Sequence, residues 1–95
     1  MRAARVDQNH EQVVTALRAA GATVQSLAGV GKGVPDLLVG YQGQTLLLEV
    51  KDGHKPPSKR ALNEDQLRWH GNWNGGALAV VDSPDGALRI LGVLK

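Results

Sequence analysis

The sequence has no cysteine and no phenylalanine, and only one tyrosine and one methionine among its 95 residues. Without thiols there can be neither a disulfide nor a thiolate metal centre, and nothing in the chain points to export. With two tryptophans and one tyrosine as the whole aromatic complement, the core must be built from aliphatic side chains. No apolar run approaches the ~20 residues of a membrane-spanning helix, because Gly, Pro or a charge interrupts each one. The first ten residues, MRAARVDQNH, carry basic groups with no apolar run of signal-peptide length behind them. Internal repeats and long linkers are also missing. These absences lead to the expectation of a cytoplasmic protein without membrane contact. They also predict a single domain over residues 1–95, with one modest core.

What is present is mildly basic, with a formal charge of +2 and a pI near 9.3. Bulk charge of that size is a weak pointer to nucleic acid. Its distribution says more. Lys51, Lys55, Lys59 and Arg60 fall within ten residues, against the single acid Asp52. Pro56 and Pro57 interrupt that segment, which predicts a raised basic loop rather than a helix face.

Apolar periodicity places the elements. His10, Val13, Val14, Leu17 and Ala20 recur at helical spacing, so residues 7–20 read as an amphipathic helix that Gly21 ends. Residues 22–27 read as a short strand and 29–35 as a glycine-rich loop. Two further strands, 36–41 and 44–51, are joined by Gln42-Gly43. A second helix starts near Asn63, an N-cap residue followed by Glu64 and Asp65 in the first turn, and runs to about Trp73. Gly75-Gly76 stops it, and residues 77–81 form a fourth strand. Ser83 followed by Pro84 predicts a last helix over 84–91, with a hairpin turn at Pro84-Asp85-Gly86 as the alternative. The order is α-β-β-β-α-β-α, an α/β protein with helices packed on a small mixed sheet.

The hairpin carries the chemistry. With Gln42-Gly43 as a two-residue loop, Asp36 falls directly opposite Glu49. Leu37, Val39, Leu46, Leu48 and Val50 then fill the other, wholly apolar face. Carboxylates on opposed residues repel by roughly 3 kcal/mol at ~5 Å and an effective dielectric of ~20. Lys51 points the same way as Glu49, yet one ammonium cannot neutralise two acids. Glu11 sits about 100° round the first helix from His10, at the border of its apolar face, and is expected to lean over the sheet edge. Three carboxylates less one ammonium leave a local charge of −2, and hard oxygen donors in excess negative charge suit Mg²⁺ or Mn²⁺. A plain surface pair of Glu49 with Lys51 is the competing account of these letters.

Pro35-Asp36, followed thirteen residues after the Asp by Glu49-Val50-Lys51, resembles the PD-(D/E)xK nuclease signature. More closely, the chain resembles a VRR-NUC domain, the virus-type replication-repair nuclease. The matching residues are Asn9-His10-Glu11, the Gly31-Lys32-Gly33-Val34-Pro35-Asp36 approach, LLLEVKDG and Gln66, within roughly residues 5–82. The resemblance implies a restriction-endonuclease-like core. It implies that Asp36, Glu49 and the Val50 carbonyl hold a catalytic Mg²⁺ or Mn²⁺, with Glu11 reaching that ion or a second one, directly or through water. Lys51 would position or help activate the attacking water, and Gln66 would orient these groups. Gln66 is equally well placed to close a capping box with Asn63.

The activity implied is a metal-dependent DNA endonuclease. Small members of the family resemble homodimeric Holliday-junction resolvases, so branched DNA, a homodimer and a phage or prophage source are the expected associations. A non-catalytic DNA-binding module of the same fold, or a flap or nonspecific nuclease, are the alternatives. Phosphate contacts are expected from Lys32, Lys55, Lys59, Arg60 and Arg68, with Arg2 and Arg5 as outside candidates. GVGKG fails as a Walker A loop, since no Ser or Thr follows its Lys and a strand comes next. Trp69 and Trp73 are expected to pack rather than to stack on bases. His10, His54 and His70 lack metal-ligand spacing.

Overall fold

Two residues in left-handed backbone set the register of the central hairpin. Gln42 and Gly43 have φ of 49° and 81°, the type I′ geometry whose twist matches that of the strands it joins. They connect β2 (Leu37–Tyr41) to β3 (Gln44–Val50), antiparallel, with Leu37 opposite Leu48 and Tyr41 opposite Gln44. The computed structural model describes residues 8–94. The expected helix start at Asp7 and the outside candidates Arg2 and Arg5 lie outside them.

Around the hairpin the chain adds α1 (Gln8–Ala19), β1 (Thr23–Ser26), α2 (Pro57–Arg60), α3 (Glu64–Asn72), β4 (Ala77–Val81) and α4 (Pro84–Leu91). Strand order is β1-β2-β3-β4; β1 pairs antiparallel with β2, and β4 parallel with β3. The parallel pair needs a crossover, and α2 with α3 supply it. Gly21, at φ 100°, ends α1. Its N–H reaches the Arg18 carbonyl and that of Ala22 the Leu17 carbonyl, both at 3.0 Å, which is a Schellman cap. Ser83 caps α4 by accepting from the Gly86 N–H at 3.0 Å, with Pro84 in its first turn. The expected final helix thus forms, and the hairpin alternative does not.

One face of the sheet is the core. Leu37, Val39, Leu46 and Leu48 meet Val13 and Leu17 of α1 and Ala87 of α4, all buried, with Val24 and Val81 completing the cluster. The expected apolar face is therefore the buried one, Val50 being half-buried at its end. Asp36 and Glu49 alternate to the opposite face, where α3 lies. Among the described residues no helix is long and apolar enough to cross a membrane.

Two expectations need correction. The basic segment after β3 contains a helical turn, Pro57–Arg60, where the proline pair predicted none. Pro57 stands in the first turn of that helix, where its missing N–H has no partner to lose and its fixed φ is already helical. The strands are also shorter than expected, because Asp36 and Lys51 fall outside the ladder. The Asp36 carboxylate takes the Val50 N–H at 2.8 Å, so a side chain replaces a backbone carbonyl there.

Leu48 is fully buried and Leu67 is 59% exposed. Leu48→Ala should therefore cost about 2–5 kcal/mol in urea unfolding, while Leu67→Ala should change stability by less than about 0.5 kcal/mol.

Candidate active site

Glu49 is 3% exposed, an unusual position for a carboxylate. Its Oε2 accepts from Gln66 Nε2 at 2.9 Å and lies 3.7 Å from Lys51 Nζ. Its Oε1 is buried and has no hydrogen-bond partner. An orphaned oxygen on a buried acid is costly, by ~1–3 kcal/mol or more for a charged group. Burial first, and then the negative charge of Asp36 on the neighbouring strand, push the Glu49 carboxyl up to about 7, against the counteracting pull of Lys51. The hairpin therefore holds Asp36 close enough for its charge to resist ionisation of Glu49.

Gln66 joins this pair to α3. Its Oε1 accepts from Lys51 Nζ at 2.8 Å and from the Asn63 N–H at 3.0 Å, while Asn63 Oδ1 accepts from the Gln66 N–H at 2.9 Å. The capping box and the site contact thus coexist in one side chain. Either amide face is used as its chemistry demands, the NH₂ on the carboxylate and the oxygen on the ammonium. The start of α3 is held from below by the glycine loop. Gly33 has φ 86°, and a Cβ on it would collide with the Asp65 carbonyl. One turn beyond Gln66, burial and then Lys51 hold the His70 imidazole below the ordinary histidine range.

The donor set can be tested against a divalent cation. Among the described residues no group of three or more His, Asp or Glu side chains comes together. The pair Asp36 and Glu49 remains, with one oxygen of Glu49 left unsatisfied. Mg²⁺ commonly takes one or two carboxylates and completes its shell with waters and substrate phosphate. The residues present fit that mode of binding, and a cation there would satisfy the orphaned oxygen.

A search of solved structures finds a chain of similar fold. A structure described as a VRR_NUC domain is 28% identical, with a TM-score of 0.66, covering 90% of this chain and 91% of that one. That likeness supports reading the chain as a VRR-NUC domain. No protein-family model matches the sequence, and no curated protein does. The four-stranded mixed sheet with its flanking helices accords with a PD-(D/E)xK-like core, and the domain is of nuclease type.

Within this fold, Asp36, Glu49, Lys51 and Gln66 converge. Glu11 does not join Asp36 and Glu49 in a three-carboxylate set. It is exposed on α1, beside Val24 and Ser26 of β1. The residue that faces the C-terminal end of β3 is Asn9, about 200° round the helix from Glu11. Asn9 Nδ2 donates to the Lys51 carbonyl at 2.6 Å and to that of Asp82 at 3.3 Å, tying the ends of β3 and β4 together. Sequence reading gave Asn9 no role. Its signal was a polar residue on the stripe that continues through Val13 and Leu17.

The basic residues differ in placement. Lys55 and Lys59 are exposed, whereas Arg60 is half-buried and lies 3.5 Å from the Asp82 carboxylate. Arg68 pairs with Asp65 at 3.3 Å, both exposed. Such a pair is worth under ~1 kcal/mol and yields readily to a phosphate. Lys32 stands in the glycine loop at φ 57°.

Two measurements check this site. Because folding raises the Glu49 pKa, its contribution is full below the unfolded value of about 4.5 and is lost as pH rises through about 7. Glu49→Gln should therefore gain stability over the metal-free parent as pH goes from 5 to 8, by on the order of 3 kcal/mol; a pH-independent difference would contradict the paired carboxylates. Gly33→Ala combines a left-handed backbone with a backbone collision. It should destabilise by more than about 1 kcal/mol in urea unfolding, whereas Gly43→Asn, at the open hairpin turn, should be nearly neutral.

Proposed function

We propose that this domain is a Mg²⁺- or Mn²⁺-dependent endonuclease that hydrolyses DNA phosphodiesters, with selectivity for branched substrates. The observation that carries the reading is the buried Glu49, pressed against Asp36 with one oxygen unsatisfied. A purely structural role gives no reason to keep two acids in that contact. A cation supplies a further reason for both.

Asp36 and Glu49 would hold the metal, with the Val50 carbonyl as the third expected donor. When bound, the ion would polarise the phosphoryl oxygen and acidify a water. Lys51 is held at the edge of the pair by Gln66, with its ammonium directed to the same face. From there it can orient the attacking water through its N–H groups and offset charge gathering on the phosphate. Gln66 fixes the Lys51 and Glu49 side chains relative to each other, which limits the reorganisation needed during the reaction. Glu11 is assigned no ligand role in this reading. Lys55 and Lys59, exposed beyond β3, would contact backbone phosphates, and Lys32 and Arg68 would do so beside α3.

Branched-DNA selectivity and a homodimer follow from the family resemblance: two copies would present two metal sites to the two strands that a junction resolvase must cut.

Plasmid nicking with Mg²⁺, with Mn²⁺ and with EDTA tests the reading. Cleavage is expected only with the divalent ions, and Glu49→Gln and Lys51→Ala should each lower it by about 100-fold or more. On a panel of four-way junction, flap, linear duplex and single strand, the junction should be cut fastest, by a species whose solution mass is that of two chains. DNA binding without metal-dependent cutting would point to a non-catalytic module instead.

A further inference from the structure

The second half of α3 carries a feature that the proposed chemistry does not use. Trp69 and Trp73, one turn apart, stack with ring centroids 5.2 Å apart and planes at 15°. Neither indole is sunk in the core: Trp69 is half-buried and Trp73 is 39% exposed. The expectation that both serve as packing residues is thus met only in part. Trp73 is nevertheless held firmly. Its Nε1 donates to the Gly76 carbonyl at 2.8 Å, and a Cβ on Gly75 would collide with its ring. The double glycine after α3 is therefore a seat for the indole as well as a helix stop.

The two rings line an open groove of about 350 Å³, together with Lys32, Asp65, Arg68 and Asn72. Lys32 reaches it from the glycine loop and makes no salt bridge among the described residues. Among the described residues Arg68 is tied only to the exposed Asp65. The groove thus presents a rigid aromatic wall, two cations and an amide. It starts at Asp65, the neighbour of Gln66, and α3 carries it roughly 10 Å away from the site, at 1.5 Å per residue.

We propose that this groove binds an unpaired segment of the DNA strand, one base stacking on the Trp73–Trp69 face while Lys32 and Arg68 contact the adjoining phosphates. The chemistry favours that occupant over a duplex. A base inside a helix already has both faces stacked, so only an unpaired base can offer one to an indole. Aromatic platforms beside cations are the usual means of holding single strands without reading sequence. Asn72 adds a donor and an acceptor at the base edge. The inference rests on the nuclease reading for the identity of the ligand. It deepens that reading by giving a preference for flaps and other single-stranded branches a physical origin, because these expose unpaired bases where duplexes do not.

The experiment is a binding titration in EDTA, which separates the groove from cleavage. Fluorescence anisotropy is read with labelled dT₁₂ and with a blunt hairpin duplex. Trp73→Leu should weaken dT₁₂ by about tenfold and the duplex by less than about threefold. Lys32→Asn, which keeps the left-handed backbone accessible, should weaken dT₁₂ and flatten its salt dependence. Tryptophan emission of the unaltered protein should change on saturation with dT₁₂, a readout that needs no variant to fold. Unchanged emission, or equal losses on both DNAs in Trp73→Leu, would overturn the proposal. Metal-dependent nicking by a protein whose Trp73→Leu variant binds dT₁₂ normally would overturn the groove alone. Selective dT₁₂ binding through Trp73 with no nicking in any metal would support the groove and leave only the nuclease reading refuted.

Discussion

Two carboxylates that repel each other organise this domain. The type I′ turn fixes a register in which Leu37 pairs with Leu48, and the next positions outward are Asp36 and Glu49. Sliding β3 by one residue would relieve the repulsion but would turn Leu46 and Leu48 out of the core. Two nearly or fully buried leucines, at ~1.5–3 kcal/mol each, match or outweigh roughly 3 kcal/mol of charge repulsion. The hydrophobic face therefore enforces the acidic contact. In this sense the site is a by-product of the core, and it persists as long as the core does.

Everything on the opposite face serves to keep that contact tolerable. Lys51 offsets part of the charge, and Gln66 gives one Glu49 oxygen a donor. Gln66 can do so only because Asn63 starts α3 where it does, and α3 can lie there only because position 33 has no Cβ. Asn9 and Arg60 brace the far ends, the first on the Lys51 and Asp82 carbonyls, the second on the Asp82 carboxylate. One oxygen of Glu49 is still left over. Of the buried side-chain atoms left without a partner among the described residues, which also include Arg60 Nε and His70 Nε2, this oxygen is the one acceptor that is hard and anionic when ionised.

Much of this was legible from sequence, and the part that was not has identifiable causes. The hairpin register followed from period-two alternation and a two-residue turn, both local rules. The start of α3 and the helix after Ser83 followed from N-cap residues and a proline in the first turn, again local. The wheel gave the buried side of α1 correctly, His10, Val13 and Leu17, and Glu11 does lie beside a sheet edge, but that edge is β1 rather than the strand end where Asp36 and Glu49 meet. The residue of α1 that faces the end of β3 is Asn9, whose polar side chain at the start of an apolar stripe was the overlooked sign. The turn at Pro57–Arg60 was missed because two prolines were weighed as breakers, when the second of them is a helix starter. The Gln66 question had two answers that sequence treated as rivals. In space they are compatible, since a side-chain oxygen has two lone pairs.

That double use of Gln66 ties local folding to chemistry. Its backbone N–H and its side chain together close the cap that begins α3, and the same amide bridges Lys51 and Glu49. Any movement of α3 therefore changes the arrangement of the site, and any change in the charge of Glu49 is felt at the helix start. Neutral Glu49 needs little from Lys51, so the ammonium can relax toward Gln66; ionised Glu49 draws both. A cation bound by the pair would stabilise the ionised form and so hold α3 in place. Because Trp69 and Trp73 ride on that helix, the groove they line is carried by the same support as the proposed catalytic residues. A helix of nine residues is too short to be stable by itself in water. Its order has to come from what surrounds it: the glycine loop against Asp65, the Trp73 anchor on Gly76, and the bonds of Gln66 to Lys51 and Glu49.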